Sequence, residues 1–207
     1  MDGAMGACAP NMRAIGGISH GDAQACGPIV DLRRPVEAVR RAVAALRFGP
    51  DPSFEFPADR DDVAAALARH VADAALATDM ADIARAYVAR TDAARLKLRF
   101  ARIVGPGCKF FHVDVVDLRA ITTYAGGGTE YVDAGDVDRA ALGCGDNRRI
   151  VPDPTKVKRL PLYAVGFFSG EADPGRAGAG HVHRSPPASP RAPRLVFVVD
   201  RALDADA

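Results

Sequence analysis

The sequence predicts an α+β fold in which N-terminal helices pack on a jelly-roll or cupin-like β barrel, and three observations carry that prediction. Apolar residues recur every three to four positions in three stretches between Val36 and Tyr87. The period then switches to two at Arg95, and from there short apolar runs alternate with Gly- and Pro-rich breaks as far as Val199.

Residues 1–28 are small, polar and aperiodic, so they read as a flexible tail containing His20. Val36, Val39, Val43 and Leu46 mark one face of a helix that Gly49-Pro50 and Pro52 end. Asp59 is placed to cap a second helix whose stripe is Val63, Leu67 and Val71, with His70 off that stripe. A third helix is expected from Asp79, with Met80, Ile83 and Tyr87 inward and Arg85 and Arg90 outward. Residues 29–92 are therefore expected to be a helical supporting segment, and residues 93–203 the β core that carries the chemistry.

In that core Leu96, Leu98 and Phe100 alternate with Arg95, Lys97 and Arg99, the pattern of a half-buried strand. Gly105-Pro106-Gly107 breaks it. Phe110 to Val116 and Leu118 to Tyr124 read as the next two strands, and Gly126-Gly127-Gly128 as a tight connection into Thr129 to Val132. The polar stretch from Asp133 to Pro154 reads as a long loop or short helix. Strand character returns over Leu160 to Phe168 and again over Arg194 to Val199.

With 48% hydrophobic and 26% charged residues in 207, the chain can bury one substantial core, and two full domains are not expected. A net charge of +1 gives no sequence-wide electrostatic case for nucleic acid or an anionic membrane. The N-terminus lacks the basic start and apolar core of a secretory signal, and no later stretch is apolar enough to span a bilayer, so a cytoplasmic protein is expected. Cys8, Cys26, Cys108 and Cys144 follow no extracellular framework and read as reduced thiols; a zinc site on Cys108 and Cys144 has no supporting ligand spacing. The expected partner is a small-molecule or peptide substrate.

The chemistry concentrates in His112-Val113-Asp114, in Gly180 to Pro187 with His181 and His183, and in Arg194. On an extended segment a His-x-Asp sets both side chains on one face. Completed by His183, or alternatively by His181, it gives two imidazoles and a carboxylate. That facial donor set belongs to non-haem Fe(II) oxygenases and leaves positions open for a co-substrate and dioxygen; zinc is the alternative ion. Arg194 opens an apolar strand, where a fixed guanidinium can grip the carboxylate of a 2-oxoacid. A sheet-edge cap or a pair with Asp200 is the structural alternative for it. Arg119 reads as a substrate contact or as the partner of Asp114 or Asp117. Arg184 reads as a pocket or loop arginine, and Glu130 as a general base if it faces the metal. The triple glycine is followed by no P-loop Lys-Ser/Thr, so it reads as a turn.

The run Cys108 to Asp114, with Leu118-Arg119, Thr123-Tyr124, Gly126 to Tyr131, Gly180 to Pro187 and Arg194-Leu195, resembles the bacterial domain of unknown function 1826 family. More distantly the chain is similar to the 2-oxoglutarate and Fe(II)-dependent oxygenase superfamily. Its double-stranded β-helix carries an H-x-D, a distal His and an Arg in that order. That resemblance implies His112, Asp114 and His183 as ligands and Arg194 as the clamp on the co-substrate's distal carboxylate. Superfamily members often carry a Ser two residues after that Arg; here the position is Val196, and Thr122 or Tyr124 is the candidate for the missing hydroxyl.

Overall fold

The computed structural model describes residues 28–30, 34, 36–173 and 178–202 of the chain. The stripe read from the sequence forms α1 (Val36–Leu46), which buries Val39, Ala42 and Val43. Helix α2 (Val63–His70) buries Val63, Ala66 and Leu67, and α3 (Ala74–Thr91) buries Met80, Ile83 and Tyr87. Two helix starts differ from expectation. Asp62 rather than Asp59 precedes α2, and α3 begins after Asp73, whose carboxylate accepts from the Leu76 amide at 3.0 Å. Asp79 is instead a buried mid-helix residue that accepts from Tyr124 Oη at 2.7 Å and pairs with Arg34 at 2.6 Å.

The segment expected to be wholly helical also supplies strands β1 (Ile29–Val30) and β2 (Phe54–Asp59). Pro57 hid β2. Proline cannot donate to a ladder and signals a break, yet β2 is an edge strand, where a missing donor is tolerated. The remaining strands and α-helix are β3 (Arg95–Ile103), β4 (Leu118–Ala125), β5 (Glu130–Tyr131), a one-turn α4 (Asn147–Ile150), β6 (Lys158–Arg159), β7 (Val165–Ser169), β8 (His183–Arg184) and β9 (Arg194–Arg201). The expected single strand over Leu160 to Phe168 is interrupted by Tyr163, whose φ is 67°. No helix among the described residues is long and apolar enough to cross a membrane.

Two antiparallel sheets result, one of six strands in the order β1-β7-β4-β9-β3-β2 and one of three in the order β6-β5-β8. Alternation divides the large sheet cleanly. Leu96, Leu98, Phe100, Ala120, Leu195, Phe197 and Val199 face the helices in one core. Ile103, Ile121, Phe168, Val196 and Val198 face the other way and pack with Tyr131 and Leu160 of the small-sheet side. Strand β9 is central and buried on both faces, which explains its near-continuous apolar run.

The glycine triplet lets the small-sheet side approach the large sheet closely. A Cβ on Gly128 would stand 1.9 Å from the Leu160 carbonyl oxygen, and one on Gly126, at φ 83°, 2.7 Å from that of Pro193. Gly128→Ala is accordingly expected to cost about 3 kcal/mol or more, because backbone rather than a flexible side chain must yield; chemical denaturation measures it.

Candidate functional site

The segment that carries His112 and Asp114 is not the regular strand expected from the sequence. Within it only His112 pairs, through an isolated bridge to His183 with both N–H···O distances at 3.0 Å. Beyond it, the carbonyls of Asp114, Val116 and Asp117 accept from the amides of Glu171, Ala172 and Gly170, so a loop-to-loop seam replaces the ladder. Gly170 must lack a side chain there, since its Cβ would meet the Val116 and Asp114 carbonyl oxygens at 2.2 and 2.5 Å. Asn147 at the start of α4 clamps the other side, accepting from the Phe111 amide and donating to the Lys109 carbonyl, both at 2.9 Å.

This brings one ligand atom each from His112, Asp114 and His183 within 4.8 Å of one another. His183 Nε2 lies 3.1 Å from Asp114 Oδ2, and His112 Nε2 lies 3.6 Å from Oδ1. The other ring nitrogens are occupied. His112 Nδ1 donates to the Phe110 carbonyl at 2.9 Å and His183 Nδ1 to the His181 carbonyl at 3.1 Å. A carbonyl only accepts, so each Nδ1 carries a proton, and Nε2, the nitrogen that faces the carboxylate, is the one whose lone pair a metal would take. Asp114 Oδ2 is buried with no hydrogen-bond partner. Two lone pairs and an anion converging on one point call for a cation between them, and the residues present fit a divalent ion.

Arg119 fixes the carboxylate. Its Nη1 donates to Asp114 Oδ1 at 2.6 Å, while Nε and Nη2 grip Asp200 at 2.7 Å each. Register makes this possible, because Asp200 on β9 stands opposite both Arg119 on β4 and Lys97 on β3. Burial pushes the Asp114 carboxyl up, but the close approach of the His112 and His183 rings and the charge of Arg119 outweigh it, and the group is held well below the usual carboxylate range. His112 is held above the ordinary imidazole value, chiefly by Asp114. Metal uptake must displace that proton, so affinity is expected to weaken as pH falls through and below the raised value. Titrating the metal at successive pH values measures this.

A small cavity is lined by two of the three donors, His112 and His183, together with Thr129, Val196, Val198 and Arg194. The Arg194 side chain is 1% exposed. Its Nε donates to the Gly127 carbonyl at 2.6 Å and its Nη2 to Thr129 Oγ1 at 3.3 Å; among the described residues it forms no ion pair. Desolvation pulls its pKa down to about 10. Thr129, not singled out in the sequence, supplies a hydroxyl beside the guanidinium. Its only sequence signal is its place directly after the triple glycine.

Other expectations are corrected. Thr122 donates to the Ala164 carbonyl and Tyr124 to Asp79, and Tyr124 lies in the helix-facing core. Neither meets the cavity, because both have the wrong parity on β4. Tyr124→Phe should therefore cost about 1–3 kcal/mol of stability, read by denaturation, with 2-oxoacid binding unchanged. Glu130 is no free base: Arg159 and Arg184 donate to its two oxygens at 2.5 and 2.7 Å. Burial raises its pKa, but those two arginines win and hold it ionised. Arg184, also stacked 4.5 Å from the Phe111 ring centroid, lines the cavity while neutralised by Glu130. Arg119 is the salt-bridge partner of Asp114 and Asp200. His181 accepts from the Ser169 amide at 2.9 Å and stands apart from the three-donor group, which takes His183. Cys108 and Cys144 are exposed free thiols outside that group; the expected tail with His20, Cys8 and Cys26 lies outside the described residues up to residue 27.

Residues 29–200 match the family described as "Protein of unknown function (DUF1826)". No curated protein matches the sequence. Among solved structures, the chain is similar to the Arabidopsis thaliana dioxygenase for auxin oxidation 1 in a 2-oxoglutarate complex, at 12% identity and TM-score 0.41, over 92% of this chain and 84% of that one. It is also similar to the dioxygenase for auxin oxidation of rice, at 14% identity and TM-score 0.40, over 80% and 67%. A Pseudomonas putida prolyl-4-hydroxylase is similar at 14% identity and TM-score 0.37, over 85% and 99%.

Proposed function

This chain belongs to the DUF1826 family, and from the geometry of its own residues we propose that it is a non-haem Fe(II) and 2-oxoglutarate-dependent dioxygenase acting on a small-molecule or peptide substrate. One observation carries the reading: the same cavity is lined by His112 and His183 of the His-Asp-His donor group and by a buried arginine, Arg194, that has no carboxylate partner among the described residues. A completely desolvated guanidinium is costly unless an anion meets it. The apposed six-stranded and three-stranded antiparallel sheets support the finer description of the fold as a double-stranded β-helix.

His112, Asp114 and His183 would hold the metal on one face, with Arg119 keeping the Asp114 carboxylate aimed. Arg194 and Thr129 would receive the distal carboxylate of 2-oxoglutarate, the role for which the sequence offered Thr122 or Tyr124. Val196 and Val198 would cover its methylene chain and exclude water. When bound, Fe(II) and 2-oxoglutarate supply oxidative chemistry in which dioxygen is reduced, the 2-oxoacid becomes succinate and carbon dioxide, and one oxygen atom goes to the substrate.

The donor set also suits zinc, which supplies no such redox chemistry. Anaerobically Fe(II)-loaded protein exposed to dioxygen and 2-oxoglutarate is expected to release succinate slowly even without substrate. Zinc-loaded protein should release none. Succinate at the level of a protein-free Fe(II) control removes the oxygenase reading and leaves the zinc one.

A further inference from the structure

Four arginines line the metal cavity, namely Arg99, Arg119, Arg184 and Arg194, and no carboxylate does among the described residues. Arg119 and Arg184 are neutralised from behind by Asp114, Asp200 and Glu130. Arg194 is occupied by the co-substrate in the dioxygenase reading. Arg99 is left over. It is exposed on β3, and among the described residues its side chain makes no hydrogen bond, ion pair or ring contact. Its cross-strand neighbour Glu55 is paired with Lys97 at 2.7 Å instead.

A second, larger hollow of about 690 Å³ adjoins the cavity and shares Arg119 with it. Its size is that of a small-molecule site. The six charged residues lining it cancel in pairs: Glu55 with Lys97, Asp117 with Arg201 at 2.9 Å, and Asp200 with Arg119. What remains is apolar surface from Pro57, Val115, Val116, Ala172 and Ala202. Val115, the residue after Asp114, is 87% exposed, an apolar side chain held in water beside the candidate metal centre. Glu55, Pro57 and Lys97 lie on β2 and β3, the two strands at one edge of the large sheet.

We infer that the substrate is a small organic anion with an apolar body, its body lying in the hollow against Val115 and Pro57 and its anionic group meeting Arg99. The anion's role as substrate, and the choice of Arg99 over Arg194, rest on the dioxygenase reading; the apolar hollow and the unpaired Arg99 do not. A charge-neutral apolar hollow gives no reason to select charge, so selection falls to Arg99, which lines the adjoining cavity opposite Glu55 of the hollow and is unpaired among the described residues.

Isothermal titration tests it with three probes that share one body and differ in charge: 3-phenylpropanoate, 3-phenylpropanamide and 3-phenylpropylammonium. The carboxylate is expected to bind, and to bind at least about tenfold more tightly than the amide and the amine. Arg99→Ala should erase that preference while leaving 2-oxoglutarate binding intact. Arg194→Ala should do the reverse. Val115→Asp, on an exposed side chain, should weaken the carboxylate without disturbing the fold. Equal affinity for the three probes, no saturable carboxylate binding, or a preference that survives Arg99→Ala overturns the inference. Loss of the 2-oxoglutarate arm alone overturns the dioxygenase reading and leaves the anion site standing.

Discussion

Asp114→Ala is expected to abolish stoichiometric divalent-metal binding. The carboxylate is the only anion of the three donors, and it lies within 3.1 Å of His183 Nε2 and 3.6 Å of His112 Nε2. Two neutral imidazoles on short anchors do not retain a hard divalent ion in competition with water, and the loss should exceed the roughly 10–100-fold typical of removing an outer-sphere partner. The fold should survive, because Arg119 keeps its two bonds to Asp200. Asp114→Asn, which retains the shape and one acceptor, should fall between. Metal analysis after dialysis, beside a denaturation midpoint, separates loss of the site from loss of the protein. Undiminished metal content in Asp114→Ala would place the ion elsewhere.

The second large effect is expected at Arg194. Arg194→Met keeps the length and apolar stem but removes the guanidinium, and 2-oxoglutarate affinity should drop about 100-fold or more, since the distal carboxylate loses the buried cation proposed to receive it. Stability should stay within about 2 kcal/mol of the wild type, because two effects oppose each other. Removing an unpaired buried charge is favourable, whereas leaving the Gly127 carbonyl and Thr129 hydroxyl without their donor is not. Arg194→Lys retains the charge without the fork and should recover only part of the affinity. Titration calorimetry and thermal denaturation on the same preparations give both numbers. A large loss of stability with unchanged 2-oxoglutarate binding would make Arg194 a structural cation.

The helices and the long strands were legible because each buries one face and repeats its period several times. The stripe of α1 and the alternation of β3 are examples. Strand β2 was not, since Pro57 mimics a break wherever the sheet edge is unknown. His112, Asp114, His183 and Arg194 could be picked out because each is a chemically expensive residue in an apolar setting. Their assembly could not be read the same way. The sequence suggested a two-residue strand period, whereas one His112–His183 bridge and the Gly170–Ala172 seam do the work. Thr122 and Tyr124 failed for a related reason: strand parity fixes which side chains share a face, but not which face meets the cavity. Asp200, Asn147 and Thr129 emerge only from register and loop packing, which no local pattern encodes. Glu130 shows the complementary limit, because its two arginine partners lie far from it in the chain.

One site is expected to hold a metal on His112, Asp114 and His183 and a 2-oxoacid on Arg194. Anaerobic titration of the Fe(II)-loaded protein with 2-oxoglutarate, followed by visible absorption, tests both halves at once. The expected result is a metal-to-ligand charge-transfer band that saturates at one equivalent of Fe(II), is absent from Asp114→Ala and needs far more 2-oxoglutarate in Arg194→Met. Stoichiometric iron with no band, or a band with the same 2-oxoglutarate dependence in Arg194→Met as in the wild type, would contradict it.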